Sequence, residues 1–239
     1  MLVTGALLIA TTQILPQLLQ EEFGYTATLA GLAISPGGAV TMIMMVVVGR
    51  LGFVQRRYLI AGGAAISCYA MVDLLRMTPA DYWYFAWSRI YLGIGLPLIF
   101  IPITTASYDG IPPSYTDQAS ALINLARNFG GSMGVALSQT VLARREQFHQ
   151  SRLVEHLGSS NPFYYDTLNR IQTYLDGHAA TGSSSGTSIA IVNQMVQSQA
   201  TILAYIDVFV ALGVIAIVMV PLALTLRAVH GSASPKSAR

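Results

Sequence analysis

Charge is what this chain has least of. Its 239 residues hold 13 Lys and Arg and 11 Asp and Glu, or 10% charged, where an ordinary soluble domain carries about 25%. With 53% hydrophobic residues and a mean hydropathy of +0.54, water is excluded as the main solvent. The formal net charge of +2 is small and no basic stripe stands out, which excludes an ordinary nucleic-acid binder. Cysteine is nearly missing too. Cys68 stands alone inside an apolar run, so an internal disulfide is excluded and the residue reads as a small hydrophobe. No Walker-type loop ending in Gly-Lys-Ser or Gly-Lys-Thr occurs, so ATP phosphates have no cradle of that kind. The first twenty residues lack the basic start and small-residue cleavage site of a signal peptide. They are apolar enough to cross a bilayer and read as a retained helix.

What is abundant is long apolar runs. A helix crosses the hydrocarbon core with about twenty mostly apolar residues, at about 1.5 Å rise each across about 30 Å. Six stretches meet that measure: Met1 to Leu19, Ala27 to Val48, Tyr58 to Leu75, Tyr82 to Thr105, Asp117 to Ala143 and Thr201 to Leu226. The spacing therefore predicts an all-α, polytopic bundle of about six transmembrane helices. Pro16, Pro36-Gly37-Gly38, Gly93-Ile94-Gly95-Leu96-Pro97 and Pro102 fall inside spans. In a membrane bundle neighbouring helices re-satisfy the freed backbone groups, so these are expected kinks or hinges.

The predicted organisation is five membrane helices over 1–143, an extramembrane loop over 144–200, a sixth helix over 201–226 and a tail over 227–239. Within the loop, Asn161-Pro162 marks a helix start, and Tyr164, Leu168, Ile171 and Leu175 share one helical face. Thr181 to Gly186 reads as a Gly/Ser linker, and an extension of the last helix is expected from about Ile189. Arg50, Arg56 and Arg57 in one hairpin, with Arg227, Lys236 and Arg239 in the tail, contrast with short loops at Glu21-Glu22 and Pro79-Ala80-Asp81 that hold no Lys or Arg. The positive-inside rule then puts both termini in the cytoplasm. Arg144, Arg145, Arg152 and Arg170 fall in the long loop, which translocates with weaker regard for charge.

Catalytic motifs are weak throughout. Gly182-Ser183-Ser184-Ser185-Gly186 matches a nucleophile elbow, but linker flanks do not supply the strand-turn-helix it needs. His149 and His156 share a face near Glu155 and read as a solvated face rather than a metal site. No catalytic residue, cofactor or metal is expected, and the chain is not expected to be an enzyme. Ala126, Gly130 and Gly134 recur four apart, a spacing that lets helix backbones approach closely in lipid. Asn124, Asn128 and Gln139 are amides on the same helix that need partners or a wet cavity. Charges within spans are costly and are functional candidates by default. Asp73 and Arg76 read as a mutual pair near a helix end, and Arg127 as an anchor or a functional residue. Arg89 and Asp207, within about two turns of their helix ends, are candidate substrate or proton sites. Asp109 is expected in a cytoplasmic turn.

Several stretches resemble the C-terminal half of a fourteen-helix drug:proton antiporter of the major facilitator superfamily, the EmrB/QacA type. They are Glu22 to Leu32 followed by Pro36-Gly37, Gly49-Arg50-Leu51 before Arg56-Arg57, Pro102 to Thr105, Gly110 to Pro113, Gln118 to Leu122, and Asn124 to Gly134. The resemblance implies that the hairpin with Gly49, Arg50, Arg56 and Arg57 is cytoplasmic and that the long polar loop is periplasmic. Phe53 and Val54 stand where the family often has an acid, so no charge relay is expected there. It further implies one half of a major facilitator fold in the inner membrane, with proton-coupled efflux of drugs or other lipophilic small molecules as the activity. A wet cavity between two repeats would carry the substrate. Arg89, Asn124, Asn128, Gln139 and Asp207 are its candidate lining. Implied partners are the lipid bilayer, a small-molecule substrate, an N-terminal six-helix half or a second copy of the chain, and a periplasmic adaptor protein, with no nucleic acid. The alternative is a non-transporting scaffold or assembly subunit, or an inactive truncated fragment.

Overall fold

The computed structural model describes residues 1–51, 54–76, 82–155, 162–178 and 184–225. Seven α-helices account for nearly all of them: α1 Leu2–Glu21, α2 Ala27–Arg50, α3 Arg56–Asp73, α4 Tyr82–Tyr108, α5 Thr116–Glu155, α6 Pro162–His178 and α7 Ser184–Thr225. There is no strand among the described residues, and the fold is an all-α helical bundle. The tail beyond Thr225 with Arg227, Lys236 and Arg239 lies outside the described residues. So do Phe53, Pro79-Ala80-Asp81, His156, Asn161 and Thr181 to Ser183, and the side chains of Arg76, Tyr164 and Leu175.

Local chemistry sets the ends. Gly24, at φ +65°, turns the chain out of α1, a left-handed conformation that glycine adopts without a Cβ penalty. Thr26 then caps α2, its hydroxyl accepting from the Leu29 amide. Gly110, at φ +78°, does the same after α4. Pro16, Pro36, Pro97, Pro102 and Pro221 lie inside helices.

Four helices are long and apolar enough to cross a membrane: α1, α2, α4 and the Gly186–Leu222 part of α7. The third and fifth expected spans correspond to α3 and the first part of α5. Arg56, Arg57 and Asp73 dilute α3 at its two ends, and amides and arginines dilute α5, so neither reaches the same apolar measure. Both nevertheless pack lengthwise into the bundle. α1 packs on α5, α5 on α7, α7 on α3, α3 on α4 and α4 on α2, a ring closed weakly between α2 and α1. Two helices outrun the bilayer. α5 has 40 residues and α7 has 42, each about 60 Å at 1.5 Å per residue, so the 144–200 stretch is largely helical extension with α6 packed on α7.

The helices meet at small residues. A Cβ built on Gly130 would lie 2.1 Å from the Leu2 carbonyl oxygen, and one on Gly134 2.7 Å from the Ala6 Cα. Across the same contact, Gly5 faces the Arg127 carbonyl equally closely. Ala126, the first member of the spacing, is half-buried. On the other side of the ring Gly37 meets Gly93, and Gly63 meets Gly95. The core along α1 and α7 is apolar and fully enclosed, with Ile14, Leu15, Leu18, Phe85, Tyr205 and Phe209 at its centre.

Candidate functional site

A polar cavity of about 500 Å³ lies between the end of α1 and the long arms of α5 and α7. Each helix contributes a polar stripe at helical spacing. On α1 it is Gln17 and Glu21, one turn apart, with Glu22 next. On α5 it is Gln139 and Glu146, with Ala143 between them. On α7 it is Gln194, Gln197, Ser198, Thr201 and Tyr205, which fall at i, i+3, i+4, i+7 and i+11. These stripes face one another because the apolar remainder of each helix packs into the core or faces outward.

Hydrogen bonds tie the three helices together here. Gln139 donates through Nε2 to Gln17 Oε1 at 2.7 Å, and Gln17 donates onward to Glu21 Oε1 at 3.1 Å. The Tyr205 hydroxyl donates to Glu21 Oε2 at 2.8 Å, and Ser198 donates to Glu22 Oε2 at 2.6 Å. Thr201 Oγ1 lies 3.1 Å from Glu146 Oε1. All three carboxylates accept from neutral groups, and no Lys or Arg lines the cavity among the described residues. The site is therefore acidic. It suits a cation or a donor-rich head group, because charge-assisted bonds to carboxylate are the strong ones.

Farther along the same three helices is a second cavity of about 510 Å³, lined almost wholly by apolar residues such as Leu2, Ala6, Met133, Leu137, Leu212 and Ile215. Ile14 of α1 comes between the two, and Leu142 of α5 and Tyr205 of α7 are buried in the inner wall of the polar cavity. One seam thus carries a polar chamber, a packed layer and an apolar groove in sequence.

Of the residues singled out in the sequence, Gln139 lines the polar cavity. Asp207 lies beyond the lining, its Oδ2 2.8 Å from His149 Nε2 and 3.5 Å from Arg145 Nε. Arg89 is 8% exposed and donates to the Thr11 carbonyl at 3.3 Å, across the α1–α4 contact. Asn124 and Asn128 are not brought to the cavity. Both are exposed on α5, and Asn124 accepts from Arg127 at 2.8 Å. In the hairpin, Arg56 pairs with Asp109, Arg57 donates to Gln55 and lies over the Tyr58 ring, and Gly49 and Arg50 are exposed. No group of three or more His, Cys, Asp or Glu among the described residues could hold a metal. Sequence reasoning missed Gln17, Glu21, Glu22, Glu146, Ser198, Thr201 and Tyr205. The polar period on α7 was the signal that could have found the last three of them.

Comparison with known proteins points the same way as the bundle. Residues 1–135 match the Major Facilitator Superfamily. The chain is 31% identical over 201 residues to the multidrug export protein EmrB of Escherichia coli K12, covering 82% of this chain and 38% of that protein. It is 28% identical over 216 residues to the fatty acid resistance protein FarB of Neisseria gonorrhoeae, covering 89% and 41%. With the cephamycin export protein CmcT of Amycolatopsis lactamdurans it shares 30% over 164 residues, covering 67% and 34%. The chain spans about two fifths of the length of the first two and a third of the last. Its apolar helices and these matches make it a multi-pass membrane protein, and by the match over more than half its length the chain belongs to the major facilitator superfamily, where it is similar to the multidrug export proteins of the EmrB type.

Proposed function

We propose that this chain is the C-terminal six-helix half of a proton-coupled exporter of lipophilic small molecules in the inner membrane, and that the polar α1–α5–α7 chamber lies on its export route. The observation that carries this reading is that chamber. It is an acidic, amide-lined cavity at one end of a bundle otherwise built from apolar helices, where α1 stops and the arms of α5 and α7 continue. Family membership and the export functions named for the relatives support it. The transported class is an amphiphile whose polar or cationic head suits the chamber and whose apolar body suits the groove next to it. Gln139 and Asp207 belong to the pathway on this reading, with Arg89 a buried charge on its α1–α4 side and Asn124 and Asn128 on a face turned toward the other repeat. Both termini are cytoplasmic, which puts the chamber at the periplasmic end beside α6, where an adaptor protein would dock. The remaining length of the relatives corresponds to an N-terminal half that completes the cavity, a role a second copy of the chain could also fill.

The test is retention of a fluorescent lipophilic dye in cells that express the chain together with an N-terminal half from a relative. Retention falls, and an uncoupler restores it. Unchanged retention, with the protein present in the membrane, rejects export and favours the scaffold reading.

A further inference from the structure

Beside the chamber, α5 and α7 share a polar contact centred on Asp207, which the export reading puts on the pathway without giving it a step. Asp207 is the only charged residue in the 42 residues of α7. Two basic side chains of α5 approach one of its oxygens: His149 Nε2 lies 2.8 Å from Oδ2 and Arg145 Nε 3.5 Å from the same atom. The contact is partly shielded, with the His149 and Asp207 side chains 21% and 30% exposed. The imidazole stacks edge-on against Phe148 at 5.6 Å between centroids, and the guanidinium groups of Arg145 and Arg152 lie over that phenyl ring. Between Arg145 and His149 in sequence, Glu146 turns to Thr201 in the chamber. One stretch of α5 therefore holds both the chamber wall and the Asp207 contact.

The two basic groups differ in one respect. An arginine keeps its charge, whereas a histidine gains or loses one between about pH 5 and 8. With a proton on His149 the bond to Asp207 is charge-assisted and short. When that proton leaves, only a neutral N–H donor remains, and Arg145 alone supplies the ion pair. The link then weakens without breaking. Other charges on the helices around it include Glu21 of α1 and the adjoining Glu22, Asp73 of α3, Arg89 of α4, Arg144, Glu146, Arg152 and Glu155 of α5, and Asp166 and Arg170 of α6. Glu21, Glu22 and Arg89 are engaged in the contacts described above, Glu155 lies near Arg152, and Asp166 and Arg170 pair with each other.

We propose that His149 and Asp207 form a proton-binding station that sets how firmly α5 grips α7 along the polar chamber. A bound proton closes the seam, and its loss lets the seam loosen. The proposal rests on the reading of the chamber as part of an export route and gives that route a place where a proton acts.

The test uses the purified full chain in lipid nanodiscs, without any transport assay. Amide hydrogen-exchange protection is measured over 144–155 and 193–207 at pH 5.5 and pH 8, after correction for intrinsic exchange. The expected result is protection on the order of tenfold greater at pH 5.5, the scale of one charge-assisted hydrogen bond. His149→Gln keeps a donor but cannot titrate, so its protection becomes independent of pH, and Asp207→Asn gives the same loss. Arg145→Gln retains the pH dependence. Equal protection of the unaltered chain at both pH values overturns the proposal. So does unchanged pH dependence in whichever of the first two variants folds. In the unaltered chain labelled with ¹⁵N-histidine, a ring signal must move in step with the protection, and ring signals that all stay fixed overturn the proposal even if neither variant folds. A failed dye assay would reject export yet leave this result standing.

Discussion

Tyr205 shows how much of the chamber depends on single side chains. Its ring is fully buried in the core while its hydroxyl reaches Glu21 at 2.8 Å, so one residue belongs to both the packed layer and the polar wall. Replacing it with Phe keeps the ring and removes the bond. Because Glu21 is exposed to solvent, the loss is that of an ordinary hydrogen bond, about 1 kcal/mol. An SDS-titration unfolding midpoint in mixed micelles reads it directly, and an unshifted midpoint in Tyr205→Phe would show that the contact adds nothing. Ser67 has a different standing. Its Oγ is buried without a hydrogen-bond partner between α3 and α4, and nothing in the structure explains why a serine rather than an alanine is there.

At the scale of helices, what holds α1 to α5 is the absence of side chains. In lipid no hydrophobic force drives one helix onto another, so close backbone approach and packing must do so. At Gly130 an added methyl meets the Leu2 backbone, which cannot move aside without shifting the helix. Gly130→Ala is therefore expected to cost about 1–3 kcal/mol. Gly213→Ala, whose methyl meets only the flexible Met71 side chain at 3.3 Å, is expected to cost well under 1 kcal/mol by the same unfolding measurement. Equal losses at the two sites would contradict the account of the α1–α5 contact. The Arg56–Asp109 pair, by contrast, joins half-exposed side chains, and such pairs contribute little to stability.

The same scale explains what was legible beforehand. Apolar runs announced α1, α2, α4 and the membrane part of α7, and Asn161-Pro162 announced α6, because length and helix-start chemistry are local. The arm of α7 was expected from about Ile189, whereas the arm of α5 beyond Ala143 was not announced as a continuous helix. Its polar residues break the apolar run, yet it extends past the bilayer's thickness where polarity carries no cost. Partners across helices were illegible for a simpler reason. Gln139 was visible as an amide in need of a partner, but Gln17 is 122 positions away. His149 was weighed with His156, a neighbour in sequence, while the carboxylate it touches is 58 positions on. Glu21 and Glu22 read as an ordinary turn because nothing local distinguishes an acid facing bulk water from one facing Tyr205 and Ser198.

For the molecule as a whole, the account joins one seam to one activity. α1, α5 and α7 enclose an acidic chamber at one end and an apolar groove at the other, with a buried layer between. Alternating access requires that such a layer open in one state and close in the other. Gln194 lines the chamber and is exposed, so it can be converted to a reporter once Cys68, the single native cysteine, has been changed to Ser. The most direct measurement is dye export by the completed transporter carrying Gln194→Cys, before and after reaction with a membrane-impermeant thiol reagent added from the periplasmic side. The account predicts that the reagent reacts, that saturating substrate slows the reaction, and that export falls at least severalfold once the chamber is filled. Complete modification with export unchanged would contradict it.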